Sequence, residues 1–212
     1  MKKLLTVLLA MLKLLVFGGC GANDNAAASS SGKTAPATSS SAAAPAAQGS
    51  KDSKTLVVYF SCTGNTKALA GKAAEALGAE TFEIVPEKPY TKEDLNYNDE
   101  STRATVEQKD ESVRPAIKNK VADMSKYTTV VIAYPIWWGQ APRIIDTFME
   151  SYDFSGKTLV PICTSASSDI GSSGEYLQRL APNANWKAGK RFAGSASVAE
   201  LKDFFGGLRL GK

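Results

Sequence analysis

The 212-residue chain contains no histidine. That excludes Ser-His-Asp and Cys-His catalysis, His-ligated metals and the usual proton shuttle near neutral pH. Cysteine is scarce, and Cys20, Cys62 and Cys163 are too scattered for a zinc site or a disulfide scaffold. A dominant charge is missing too. Lys and Arg number 25 against 21 Asp and Glu, a net of +4; without Lys2, Lys3 and Lys13 of the leader, 22 face 21, a net of +1. No stripe of Lys and Arg forms, so nothing points to nucleic acid. Beyond Phe17 there is no long apolar run, which excludes a multi-span membrane protein.

The leader reads as an address. Met1-Lys2-Lys3 is a basic start, and Leu4 to Phe17 is a fourteen-residue apolar run interrupted by Lys13. A run this short fits a secretory core better than a membrane-spanning helix. Gly18 and Gly19 before Cys20 resemble a bacterial lipoprotein signal, in which that Cys is lipidated and becomes N-terminal. An ordinary cleaved signal and an uncleaved anchor are the alternatives. From Ala26 to Ser50, 23 of 25 residues are Ala, Ser, Thr, Pro or Gly, all but Lys33 and Gln48. Such a segment cannot bury enough apolar area to offset its ordering entropy, and it reads as a disordered linker. The expected organisation is a signal over 1–19, a linker over 20–53 and a folded domain over 54–212. No internal repeat is found.

The folded part alternates strand and helix. Thr55 to Phe60 is a β-rich apolar run, as for a strand buried on both faces. Leu69, Ala73, Ala76 and Leu77 recur at helical spacing until Gly78. Thr81 to Val85 reads as a second strand and Thr128 to Tyr134 as a third. Pro142 is expected to open a helix carrying Ile144, Ile145 and Phe148. Thr158 to Cys163 reads as a fourth strand, although Pro161 removes a ladder donor. Leu177 and Leu180 mark a helix, Asn185 to Phe192 a weak strand, and Val198, Leu201, Phe205 and Leu208 a last amphipathic helix. Such alternation predicts an α/β fold, a parallel sheet with helices on both faces. Sheets of this kind bind ligands beyond the carboxyl ends of their strands.

Three loops fall at that edge. After the first strand come Ser61, Cys62, Thr63, Gly64, Asn65 and Thr66, where helix N–H groups and hydroxyls favour an anion. A phosphate there would be held by neutral donors. The Gly-Lys-Ser/Thr ending of a Walker loop is absent. A cysteine-phosphatase loop needs Arg where Ala68 stands. The alternative is a plain Thr/Asn helix cap. After the third strand come Pro135, Ile136, Trp137, Trp138 and Gly139, whose rings suit stacking on a flat ligand or packing on a neighbouring helix. After the fourth come Thr164, Ser165, Ala166, Ser167 and, further on, Gly171, which let backbone approach the edge of a heteroaromatic ring or form only a solvated loop. Cys62 and Cys163 are expected to be buried inert thiols; a disulfide between them is disfavoured by the strand lying between.

The motifs Tyr59-Phe60-Ser61-Cys62-Thr63-Gly64-Asn65-Thr66, Tyr134-Pro135-Ile136-Trp137-Trp138-Gly139, Tyr152-Asp153-Phe154-Ser155-Gly156-Lys157 and Thr164-Ser165 resemble the flavodoxin family, which binds flavin mononucleotide (FMN). The likeness is to a bacterial branch often found on exported lipoproteins, and it covers about residues 55–206. It implies a doubly wound, five-stranded parallel sheet in the order 2-1-3-4-5. It implies FMN phosphate on Ser61, Thr63, Gly64, Asn65 and Thr66, and the isoalloxazine between the Trp137/Trp138 loop and Thr164–Gly171. Cys62 stands where the family more often has a hydroxyl or a basic residue, and Ser167 where this branch often has Gly.

Pro86 to Pro115 is long for a connection. It is expected to cap the site, with Tyr90, Tyr97 and Asn98 controlling access; a disordered insertion is the alternative. Arg103 and Glu107, four apart, read as a helix surface pair. The resemblance implies an electron-transfer protein at the outer face of the cell membrane, held by a lipid on Cys20. Its redox partner would be a protein or a small quinone-like acceptor, with no nucleic acid and no metal. The alternatives are an FMN-dependent NAD(P)H:quinone or nitro reductase and a non-redox binding module on the same fold.

Overall fold

The computed structural model describes residues 54–210; the expected signal, Cys20 and the linker lie outside the described residues. Five strand positions form one parallel sheet. In chain order the elements are β1 (Thr55–Tyr59), α1 (Asn65–Leu77), β2 (Glu80–Glu83), α2 (Arg103–Lys109), β3 (Thr129–Pro135), α3 (Arg143–Glu150), β4 (Thr158–Thr164), α4 (Ser173–Leu180), β5 (Asn185–Trp186), β6 (Lys190–Phe192) and α5 (Val198–Gly207). The order across the sheet is β2-β1-β3-β4-β5, with β6 also pairing β4. This is the doubly wound 2-1-3-4-5 arrangement. Among the described residues no helix is long and apolar enough to cross a membrane.

Period-two alternation sends β1 to two cores. Leu56, Val58 and Phe60 join Ile144, Ile145 and Phe148 of α3 and Leu177 of α4 on one face. Val57 and Tyr59 join Leu69, Ala70 and Ala73 of α1 and Leu201 and Phe205 of α5 on the other. Each large side chain so buried contributes about 1.5–3 kcal/mol before entropy is counted. α1 stops at Gly78, whose left-handed φ of 60° lets its N–H reach the carbonyls of Ala74 and Glu75. Pro142 is not the first helical residue but the one before it, with ψ of 143°, and α3 starts at Arg143.

Pro161 shapes the sheet edge. Lys187 N–H donates to the Leu159 carbonyl, so alternate residues of β4 face the edge strand and Pro161 has no N–H to offer it. The expected single strand over 185–192 is accordingly split. Asn185 and Trp186 lie opposite Thr158 and Leu159, while Lys190 to Phe192 lie opposite Ile162 to Thr164, with one extra residue on the edge side. Gly189 fills the gap. A Cβ there would stand 2.7 Å from the Pro161 carbonyl oxygen and 2.5 Å from Ile170 Cδ1. Gly189→Ala is therefore expected to destabilise the domain by about 1–3 kcal/mol, read as a lower urea midpoint; an unchanged midpoint would show that the edge yields freely.

The second strand is shorter than expected because the chain turns away to another partner. Past β2, Val85 N–H donates to Asn119 Oδ1, and Pro86 bridges Ile117 antiparallel. The 86–115 excursion thus leaves and returns at one point.

Candidate functional site

Thr164, the last residue of β4, gathers the three loops. Its carbonyl accepts from Ile136 N–H at 2.9 Å, which joins it to the loop after β3. Its hydroxyl meets that of Thr66 at 2.7 Å, which joins it to the start of α1. The result is a cleft of about 380 Å³ at the carboxyl edge of the sheet. Its lining includes Cys62, Thr63, Asn65 and Thr66 from the first loop, Pro135, Ile136 and Trp137 from the second, and Thr164, Ser165 and Ala166 from the third. Tyr97 lines it from the 86–115 excursion.

The first loop is not a plain side-chain helix cap. The residue before α1 is Gly64, at φ of 88°, and no side chain closes the first turn. A Cβ at Gly64 would meet nothing within 4 Å, so glycine is needed for its backbone angle rather than for space. Ser61 Oγ accepts from Gly64 N–H at 3.1 Å and holds the loop curled. Among the described residues no side chain therefore caps the start of α1, at the end of the cleft that Thr63 and Asn65 line. Thr66 lines the cleft from its floor. It is buried, and its hydroxyl is engaged with Thr164 on the floor.

No Lys, Arg, Asp or Glu belongs to the cleft lining among the described residues. Lys67 turns away to Glu83 at 3.2 Å. Cys62 is exposed rather than buried, and Cys163 is buried; both thiols are free. Desolvation nevertheless pushes the Cys62 thiol up to about 12, against the pull of Arg103. It is a neutral thiol near pH 7 and no nucleophile. Among the described residues no group of acidic or sulfur side chains could hold a metal ion.

The two tryptophans part company. Trp137 and Gln140 exchange both backbone hydrogen bonds at 2.9 Å around a tight turn. Trp138 and Gly139 occupy its centre with φ of 46° and 78°, as in a hairpin turn with both central residues left-handed. This turn aims the two rings apart. Trp137 is 3% exposed and meets Phe60 and Tyr90 edge-on at 5.6 and 5.3 Å. Trp138 is 41% exposed and leans on Tyr97, 60% exposed, at 4.9 Å.

The 86–115 excursion is ordered by its own contacts. Arg103 and Glu107 pair at 2.6 Å, but they are largely buried and not a surface pair. Glu107 accepts the Tyr90 hydroxyl at 2.5 Å, and the Arg103 guanidinium lies 3.9 Å over the Tyr90 ring. Burial and Glu107 raise the Tyr90 hydroxyl pKa. Tyr90 thus packs against Trp137 and lies outside the cleft lining. Asn98 is also outside the cleft lining; its N–H donates to Asn96 Oδ1. Ser61, Gly64, Trp138, Gly139, Ser167 and Gly171 are likewise not in the lining.

Four contributors escape a linear reading. Leu95 and Gly194 line the cleft. Arg191 on β6 donates through Nε and Nη2 to the Ser165 carbonyl at 3.2 and 3.1 Å and holds the third loop. Gln108 on α2 holds the second. Only Gln108 leaves a sequence trace, a polar residue four after buried Ala104 on the inward face of its helix.

A family profile described as Flavodoxin matches residues 54–208. The chain belongs to the flavodoxin family. Among solved structures, a candidate flavoprotein of Bacteroides eggerthii is 41% identical, covers 76% of this chain and 100% of its own, and superposes with a TM-score of 0.72. One from Bacteroides uniformis is 44% identical over 73% of this chain and 98% of its own, with a TM-score of 0.70. A flavoprotein of Lactobacillus acidophilus, crystallised in complex with FMN, shares 23% identity over 66% of this chain and 93% of its own, with a TM-score of 0.54. At that identity the likeness is one of fold. No curated protein matches the chain. The flavodoxin-family chain therefore carries the family's sheet, and its three motif loops meet in one cleft.

Proposed function

We propose that this flavodoxin-family chain is an exported electron carrier, tethered through a lipid on Cys20 with its domain facing outward. FMN is its cofactor, and when bound it supplies reversible one- and two-electron chemistry. The observation that carries the reading is the uncapped start of α1 beside Thr63 and Asn65, in a cleft that no carboxylate lines among the described residues. Those donors fit a phosphate, because free helix amides and the helix dipole favour an anion. The chain's residues would then act by position. Ser61 and Gly64 keep the first loop curled, and Arg191 holds the Ser165 and Ala166 carbonyls of the third loop. Trp137 walls the inner side. No side chain needs to move a proton, which agrees with a chain lacking histidine.

Thr63→Val tests the phosphate assignment. Losing one donor to a charged guest should weaken FMN by about 1–3 kcal/mol, read by titrating flavin fluorescence. An unchanged dissociation constant would contradict the assignment.

A second reading is a reductase that passes hydride to a quinone or nitro compound. The exposed Tyr97 and Trp138 rings favour it, because they leave an aromatic surface for a flat acceptor. One experiment addresses both. The full chain is expressed in a bacterium, recovered from membranes, and mixed with FMN. A yellow membrane-bound protein reduced in two resolved one-electron steps is the expected result. Rapid NAD(P)H oxidation would favour the reductase. A protein that stays colourless overturns both, and recovery only in the soluble fraction overturns the tether.

A further inference from the structure

Gln108 sits on the inward face of α2, 8% exposed, at the seam between the 86–115 excursion and the tryptophan turn. Its amide Nε2 donates to the Trp137 carbonyl at 3.1 Å and to the Ala141 carbonyl at 3.3 Å. Its Oε1 accepts from Arg143 N–H at 3.1 Å. These three partners lie on both arms of the turn that carries Trp138 and Gly139. One side chain therefore closes the base of the turn. Its own backbone carbonyl is gripped in return by Arg143 Nη2 at 3.0 Å. The neighbouring residue Glu107 braces Tyr90, whose ring packs on Trp137. Two consecutive residues of α2 thus hold the same turn, one through its backbone and one through its ring.

The turn needs such a clamp. Trp138 stands at φ of 46°, a left-handed angle that an aromatic residue adopts only under constraint. Apart from the two backbone bonds that Trp137 and Gln140 exchange and the Gln140 Nε2 bond to Ser172 Oγ at 3.0 Å, the turn's polar ties among the described residues run through Gln108. Without the amide, the Ala141 carbonyl and Arg143 N–H lose their partner in a buried place, and the turn can settle elsewhere.

We propose that Gln108 is a positioning residue for the flavin cleft, coupling the 86–115 excursion to the indole turn and so setting where Trp137 walls the cleft and where Trp138 stands beside Tyr97 at its edge. The inference rests on the FMN reading for its affinity effect, but its geometric half does not. Gln108 itself touches no cofactor; it acts through the Trp137–Ala141 backbone.

The test uses the full chain carrying Trp186→Phe, so that Trp138 dominates the solvent-exposed indole signal. Gln108→Leu removes the whole amide at similar volume. Gln108→Glu keeps an acceptor for Arg143 N–H but aims it at two carbonyls, and it serves if the leucine variant fails to fold. FMN dissociation constants and acrylamide quenching of the apoprotein are read well below each variant's melting temperature. The expected result is roughly a tenfold rise in the FMN dissociation constant and a changed quenching constant for both folded variants. A merely structural role would lower the melting temperature and leave both readouts unmoved, and that outcome overturns the proposal. Should the unmodified chain fail to bind FMN, the cofactor reading falls by itself. The apoprotein quenching then decides the positioning claim: a shift sustains it, and none overturns it.

Discussion

Replacing Asp146 with alanine is expected to cost the domain about 3–5 kcal/mol of stability. The carboxylate is fully buried on α3. It accepts from Arg143 Nη1 at 3.2 Å and from the Tyr176 hydroxyl at 3.1 Å, and Arg114 stands 3.9 Å away. Arg143 is 3% exposed, so its guanidinium would be left without a counter-charge and out of reach of water. Burial holds the Asp146 carboxyl above its usual range, although Arg143, Tyr176 and Arg114 all pull it down. The charge is thus costly to keep inside and costlier to leave half-paired. Asp146→Asn should lose less, because its amide oxygen can still accept from both partners. Urea unfolding measures the difference. A loss below about 1 kcal/mol for the alanine variant would show that the network is dispensable. The effect should also reach the cleft, because Arg143 is the residue that ties α3 to Gln108.

Trp137→Ala and Trp138→Ala should differ sharply in stability while both weaken FMN. Trp137 fills the space between Phe60 and Tyr90, so its removal opens a cavity worth about 3–5 kcal/mol of stability. Trp138 touches Tyr97 and solvent, so its removal should change stability by no more than about 0.5 kcal/mol. FMN binding should respond to both. For Trp137 the loss follows from collapse of the cleft wall. For Trp138 it follows from lost stacking, a term of about 0.5–1.5 kcal/mol. Thermal melts of the apoprotein and FMN titrations separate the two. Equal melting temperatures for the two variants would refute the inward and outward assignment of the rings. An unchanged FMN affinity in the Trp138 variant would refute stacking by that residue.

The strands were legible because a parallel sheet buried on both faces leaves a local mark. Val57, Val58, Val130, Val131 and Ile132 form apolar runs that no surface element would tolerate. The carboxyl ends of parallel strands lie on one edge, so the first, second and third loops fall side by side. Boundaries moved where a neighbour decided them. β2 ended early because Val85 found Asn119, and the fifth strand broke because Pro161 faced it without a donor.

The amino-acid sequence alone determined the α/β alternation, the parallel sheet and the three hydroxyl- and aromatic-rich loops at its carboxyl edge, because periodicity and turn chemistry are properties of consecutive residues. Only the tertiary structure decided that Trp137 turns in while Trp138 turns out, that Tyr90, Arg103 and Glu107 form a buried brace, that Thr66 is engaged with Thr164, and that Gln108 and Arg191 hold the loops. Each of these is a pairing between residues far apart in the chain. A polar side chain carries no local sign of which distant carbonyl it will meet, because that partner exists only once the sheet has brought the two together.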